Sequence, residues 1–258
     1  MTTIFELIND PYERKARVIP GLLVALPLLV PLLCVYGARH PALTGVIGLL
    51  AGCGAIYALA SIARGRGKKL EEKLVNEWGG LPTTIALRHR DKFLDSISKQ
   101  RYHAAFTAKL GIAMPTAEDE AADPSKADDT YVGATKRLRE LTRSNKQLLL
   151  KENIAYGFHR NMLAMKLIGI VSCLLGIVYG LLIAKILQVN PPQFVPVHFA
   201  DPGLAAGLTL LISFALLVAW LFYFEKGAVK RMGFVYAERL FECLSSLPSS
   251  ISRKRVST

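Results

Sequence analysis

What this chain lacks narrows it first. Its long apolar runs contain no Asp or Glu, so none offers the midplane carboxylate that an ion-coupled carrier uses. HExxH, paired-Cys, Walker, Rossmann and nucleophile-elbow patterns are all missing, and the Gly79-Gly80 pair is too short to cradle a phosphate. The four cysteines, Cys34, Cys53, Cys173 and Cys243, have no metal-ligand spacing and read as small packing residues rather than a disulfide framework. His89, Asp91, Asp95 and His103 come nearest to an acid–base or metal set. Yet the two histidines are fourteen residues apart, and neither has a carboxylate at i+4. No catalytic residue, metal ligand or cofactor is assigned, and a membrane-bound enzyme remains only as a residual reading.

What is present is length in hydrocarbon. Of 258 residues 52% are hydrophobic, and the mean hydropathy of +0.32 is high for a chain with ordinary charge content. Residues 18–37, 42–62, 163–187 and 204–224 form four apolar runs, each close to the ~20 residues that cross a ~30 Å hydrocarbon core. The first is too long for a signal peptide and holds Pro20, Pro27 and Pro31, which predicts a retained span, kinked or partly unwound. The second carries Gly45, Gly48, Ala51, Gly52 and Ala55, a small-residue face for close helix contact within the protomer or between protomers. Lys166 and Lys185 sit near the ends of the third, where snorkelling accounts for them.

Loop charge sets the orientation. Residues 63–162 carry 19 Lys and Arg against 13 acids, whereas residues 188–203 carry no Lys or Arg and the first connection only Arg39. Both termini and the central segment are therefore expected on the cytoplasmic side of a multi-pass membrane protein. The net charge of +12 is largely this bias, so it is no argument for nucleic acid by itself. A surface turn with Phe5, Leu7 and Ile8 is expected before Asp10-Pro11. In the central segment, helices are expected up to the GGLP break, from Thr83-Thr84 through Leu87, from Asp91 through Ile97, and from Pro124 through Leu141. The acidic PTAEDEAADPSKADDTY reads as an exposed connector. No alternating pattern worth a sheet is found. Val229, Met232, Tyr236, Leu240, Leu244 and Leu247 form an apolar stripe that should dock on the central region or on a symmetry mate.

Residues 77–103, EWGGLPTTIALRHRDKFLDSISKQRYH, hold the densest mix of cations and rings. Arg binds phosphate bidentately and aromatic rings stack on bases. Trp78, Arg88, Arg90, Lys92, Lys99, Arg101, Tyr102 and His103 are thus the candidate anion-binding set. A membrane-proximal collar that attracts anionic lipid and packs its rings internally accounts for the same composition.

WGGLPTTIALRHRD, LDSISKQRYH, PTAEDEAADP and KENIAYGFHRNM, in that order, resemble the signature stretches of a family of bacterial four-span membrane proteins without assigned enzymatic activity. The chain is also similar to the membrane effectors of Hailong-type antiphage systems. That resemblance implies an ion-conducting homo-oligomer controlled by a nucleotide or oligonucleotide signal from a partner nucleotidyltransferase. It maps no functional residue onto this sequence. The expected fold is an all-α polytopic membrane protein with four transmembrane helices. Its segments are 1–62 (surface segment and spans), 63–162 (cytoplasmic helical domain), 163–224 (spans) and 225–258 (cytoplasmic helix and basic tail). The leading function is an oligomeric channel gated by an anionic ligand in phage defence. The alternative is a non-conducting scaffold that recruits a cytoplasmic partner.

Overall fold

The computed structural model describes residues 9–36, 41–142 and 147–248. The described residues are overwhelmingly helical, as expected of an all-α protein. Phe5, Leu7, Ile8, Arg39 and the basic tail lie outside the described residues. The helices are α1 (Ile19–Tyr36), α2 (Pro41–Trp78), α3 (Pro82–Leu87), α4 (Ser96–Leu110), α5 (Ala117–Ala122), α6 (Pro124–Thr142), α7 (Gln147–Ile183), α8 (Leu204–Val218) and α9 (Lys226–Glu242). They divide into two units. One holds Met1–Leu70 with Gly157–Lys226, the other Glu71–Tyr156 with Gly227–Thr258.

The first unit is apolar. Among the described residues three helical stretches are long and apolar enough to cross a membrane: Pro11–Val35, Leu149–Ile183 and Leu204–Tyr223. The expected run at 42–62 falls in the first part of α2, most of whose side chains lie outside the described residues. Leu28, Leu32 and Leu33 on α1, Leu167, Leu174 and Leu175 on α7, and Leu211, Phe214 and Phe222 beside them on the last span all face outward. In water such faces would aggregate; in lipid they need no cover.

The inward faces explain how a proline-rich span survives. Pro20, Val24, Pro27 and Pro31 of α1 recur at three- and four-residue spacing and are all buried. At their level α7 carries Gly176: a Cβ there would lie 2.8 Å from Pro27 Cβ and 2.9 Å from Pro27 O, and would also meet Ser213 Oγ. Three helices can approach that closely only where a side chain is absent. Gly169, two turns back, makes the same room for the wholly buried Trp220, which packs with Met162, Met165, Cys173 and Phe224.

Two stretches in this unit are π-helical, Arg14–Val18 and Ala219–Tyr223. A π turn displaces backbone carbonyls from their usual donors. Polar side chains of α7 serve both: Asn161 Nδ2 donates to Ala16 O at 2.5 Å, and Lys166 Nζ donates to Leu221 O and Phe224 O, each at 3.2 Å. Lys166 therefore satisfies backbone at the end of the last span rather than simply reaching for water.

A short hairpin departs from the all-helical expectation. Leu187–Val189 pairs antiparallel with Pro192–Phe194, in the register Leu187↔Phe194, Gln188↔Gln193 and Val189↔Pro192. Three residues per strand are too few for alternation to stand out in the sequence.

The second unit is polar and helical. Its core joins Leu87, Leu94, Tyr102, Phe106, Tyr131, Ala134 and Leu138 to Ala237, Leu240, Phe241 and Leu244. The tail helix thus docks on the central region of its own chain. Phe241 is its anchor, with ring centroids 5.4 Å from Tyr102 and 6.0 Å from Phe106. Cys243 is buried at the end of that helix. Helix starts differ from expectation in two places. α3 begins at Pro82 after Leu81, with Thr83 and Thr84 inside it. α4 begins at Ser96, where Asp95 rather than Asp91 accepts from the Ser98 amide at 2.8 Å. The acidic connector is no loop either: Thr116 and Asp119 form a reciprocal capping box that starts α5, and Pro124 opens α6.

Candidate functional site

The residues from Trp78 to His103 converge on an ion-pair cluster in the polar unit. Gly79 and Gly80 end α2 with positive φ, 76° and 154°, the glycine-favouring way to stop a helix. The Gly80 amide donates back to Val75 O at 2.9 Å, and Gly79 O accepts from Arg88 Nη2 at 2.6 Å. A Cβ on Gly80 would stand 2.8 Å from that same Nη2. The glycine pair is therefore a berth for Arg88.

Arg88 is 7% exposed. Its Nε and Nη2 donate to the two oxygens of Asp128 on α6, both at 2.7 Å, a bidentate fork. Arg90 Nη2 donates to both oxygens of the same carboxylate at 3.0 Å. Asp128 is thereby shared by two guanidiniums.

Glu120 on α5 holds the other side. It is 3% exposed. Its Oε2 accepts from the His89 amide at 2.8 Å and from Tyr131 Oη at 2.7 Å. Its Oε1 accepts from the Arg90 amide at 3.2 Å and Arg90 Nη1 at 2.8 Å. Burial by itself pushes this carboxyl up; the donors from His89, Tyr131 and Arg90 outweigh it and hold the group at about 2. Burial and the adjacent Glu120 charge push the Tyr131 phenol upward, so it stays a donor.

Lys99 closes the loop from α4, with Nζ donating to Asp91 O at 2.7 Å. Burial pulls its ammonium downward, against the attraction of Glu120 and Asp91. The two histidines meet here despite their distance in sequence, ring centroids 4.8 Å apart and nearly perpendicular. Each Nε2 lies against a carbonyl, His89 on Pro115 O at 3.0 Å and His103 on Leu87 O at 2.8 Å. A carbonyl only accepts, so both Nε2 atoms carry protons and are not free to ligate a metal. Burial pulls His103 downward as well, which leaves it neutral near pH 7. Among the described residues no group of three His, Cys, Asp or Glu side chains has metal-site geometry.

Of the candidate anion-binding set, then, Arg88, Arg90, Lys99 and His103 are drawn together, but toward carboxylates and carbonyls of the chain itself. Lys92 and Arg101 are exposed. Arg101 lies over the ring of Tyr102 at 5.0 Å, while Tyr102 is buried against Phe241. Trp78 is half-buried, with Lys230 Nζ 6.0 Å from its ring. A hollow of about 410 Å³ opens beside the cluster, lined by His89, Asp91, Lys92, Asp95 and Lys99 in mixed sign. A larger one of about 580 Å³ lies between α6, the start of α7 and α9, lined by Lys136, Arg139, Glu140, Asn153 and Tyr236. Sequence pattern does not single out Glu120, Asp128 or Tyr131 as members of a site. A faint signal exists: Glu120 follows a capping box, and Asp128 precedes the α6 stripe by one turn.

No protein-family profile matches the chain, and no curated protein or solved structure is significantly similar to it.

Proposed function

We propose that the chain is a four-span protein of the bacterial inner membrane, with residues 42–62 as its second span, and that it works as an oligomeric membrane effector. In this reading several protomers form the conducting path, and the polar unit controls it. The observation that carries the assembly is on α2. Gly45 and Gly48 are exposed, and a Cβ on either would meet nothing within 4 Å among the described residues. Small residues in a span are where another helix can approach, and no described helix of the protomer does. The outward faces of the other spans are apolar, so a water-filled path needs contributions from several copies.

Control is proposed at the Arg88–Asp128–Arg90–Glu120 cluster. An anionic nucleotide or oligonucleotide, the signal implied by the resemblance to Hailong-type effectors, competes with Asp128 for the two guanidiniums and frees α6 from the 88–91 loop. A second reading has one observation in its favour: the cluster is internally neutralised, as a rigid scaffold for a protein partner would be.

Native mass measurement and planar-bilayer recording test the proposal together. Oligomers with unitary conductance, both lost in Gly48→Leu, are expected. Stable oligomers that never conduct favour the scaffold. Monomers alone remove the proposal.

A further inference from the structure

We infer that the hairpin between α7 and α8 is an interfacial element, whose apolar face lies in the headgroup–acyl boundary of the bilayer. This rests on α7 and α8 being membrane spans and on nothing about conduction.

The ladder register sorts the hairpin's side chains. Successive residues of a strand point to opposite faces, and directly paired residues share one. With Leu187 opposite Phe194 and Val189 opposite Pro192, those four lie on one face, while the pair Gln188 and Gln193 lies on the other. The hairpin is thus amphipathic, apolar on one side and amide on the other. Its apolar side is uncovered: Val189 is 72% exposed and Phe194 60%. Phe199 extends the patch, with its ring 6.1 Å from that of Phe194, and Val197 is exposed beside it.

The segment is held in place rather than trailing. Ile186 is fully buried with Ala184 and Ala206. The Val195 amide donates to Ile186 O at 2.8 Å, and His198 Nδ1 bonds Lys185 O at 3.0 Å.

The first strand of the hairpin is tethered to the bilayer surface. Leu187 follows the end of α7 at Ile183 closely, and α8 starts at Leu204. At about 3.5 Å per residue Leu187 can stand at most ~14 Å from that helix end. The headgroup layer on each side of the hydrocarbon is itself ~6 Å deep. Charge agrees with this placement. Residues 186–203 contain Asp201 as their one formal charge, so little opposes partial burial of Val189, Phe194, Val197 and Phe199. Aromatic and apolar side chains backed by polar amides are the composition that settles in this layer.

Site-specific photocrosslinking reads the depth directly. p-Benzoylphenylalanine is placed at Phe194, at Gln193 or at Leu175, which is exposed at the middle of the apolar run 163–187. Each protein is irradiated in phosphatidylethanolamine–phosphatidylglycerol vesicles, and its intact mass is measured. The expected result is a one-phospholipid adduct at 175 and 194, with at least a several-fold lower yield at 193. An adduct at 175 but none at 194 overturns the inference while leaving the spans in place. A crosslink from 194 to a second copy overturns it in favour of a contact between protomers. No lipid adduct at 175 overturns the reading of α7 as a span, and the inference with it.

Discussion

Replacing Glu120 by Gln is the sharpest test of the cluster, because the structure fixes what the change removes. Each carboxylate oxygen accepts two donors: Oε1 from the Arg90 amide and Nη1, Oε2 from the His89 amide and Tyr131 Oη. An amide has a single acceptor oxygen. Whichever position the new NH2 takes, it faces a backbone N–H that cannot rotate away. One buried donor is orphaned, at about 1–3 kcal/mol, and the charge assistance to Arg90 goes with it. The destabilisation expected is about 2–3 kcal/mol.

Proton linkage gives an independent figure. Glu120 is held at about 2 against an ordinary 4.5. A depressed carboxyl contributes stability that is full above pH ~4.5 and disappears as pH falls toward 2. At roughly 1.4 kcal/mol per pH unit that is about 3 kcal/mol, or about 2 after allowance for solvent screening at the edge of the unit. The two figures agree. Hydrogen exchange of a peptide spanning residues 85–95, in detergent, reports the opening of this loop. At pH 7 the His89 and Arg90 amides of Glu120→Gln should exchange about 30- to 150-fold faster than in the parent protein. Compared pairwise at each pH, the difference should shrink as pH falls from 4.5 toward 2. Equal exchange at pH 7, or a difference that stays constant through acid, would falsify the role given to Glu120.

Four further outcomes are expected. A cysteine at Ser125 should resist a membrane-impermeant maleimide in intact cells while one at Gln193 labels; the reverse pattern overturns the orientation. Gly176→Ala puts a methyl group 2.8 Å from Pro27 Cβ and should cost about 1–3 kcal/mol through overpacking. Gly133→Ala, where a Cβ meets nothing within 4 Å on helical α6, should hold or raise stability by about 0.5–1 kcal/mol; thermal unfolding of the solubilised protein that moves both the same way contradicts the packing described. Lys92→Ala with Arg101→Ala removes exposed cations and spares the cluster. If an oligonucleotide binds here, the pair should flatten the log–log salt dependence by about 0.7 for each phosphate no longer neutralised, and an unchanged slope in a titration at several salt concentrations places the nucleic acid elsewhere.

The helical class and the apolar spans are legible in the sequence because both rest on local pattern. Runs of ~20 apolar residues need no tertiary information. The α6 stripe of Tyr131, Ala134 and Leu138 follows from period alone, as does the tail stripe at Leu240 and Leu244. Helix starts are less legible where two caps compete. Asp91 and Asp95 are equally good N-cap types four residues apart, and the choice falls to Asp95 because Leu94 is buried in the core just before it. The acidic connector misleads for a related reason. Glu120 looks like any surface acid until His89, Arg90 and Tyr131 are brought around it from elsewhere in the chain. Long-range pairing of this kind leaves no periodic trace, and neither does a hairpin of three-residue strands.

The same pairing sets the condition under which the proposed gating can work. Arg88, Arg90 and Lys99 bring three cations to the cluster, and Asp91, Glu120 and Asp128 bring three carboxylates. An approaching anion meets a neutral network instead of a positive field, so long-range attraction falls to the exposed Lys92 and Arg101. To engage Arg88 it must take the place of Asp128 at both 2.7 Å hydrogen bonds and leave that carboxylate to water, which its 27% side-chain exposure permits. A single phosphate offers no more than Asp128 already does. Under the proposal, a ligand with several phosphates would have to gain further contacts, with exposed cations such as Lys92 and Arg101, that outweigh what the cluster gives up on losing Asp128. A ligand shifts such an equilibrium only by its differential affinity for the opened state. Under the proposed gating, the cluster would therefore select polyanions over monoanions and leave the polar unit closed to inorganic phosphate or acetate.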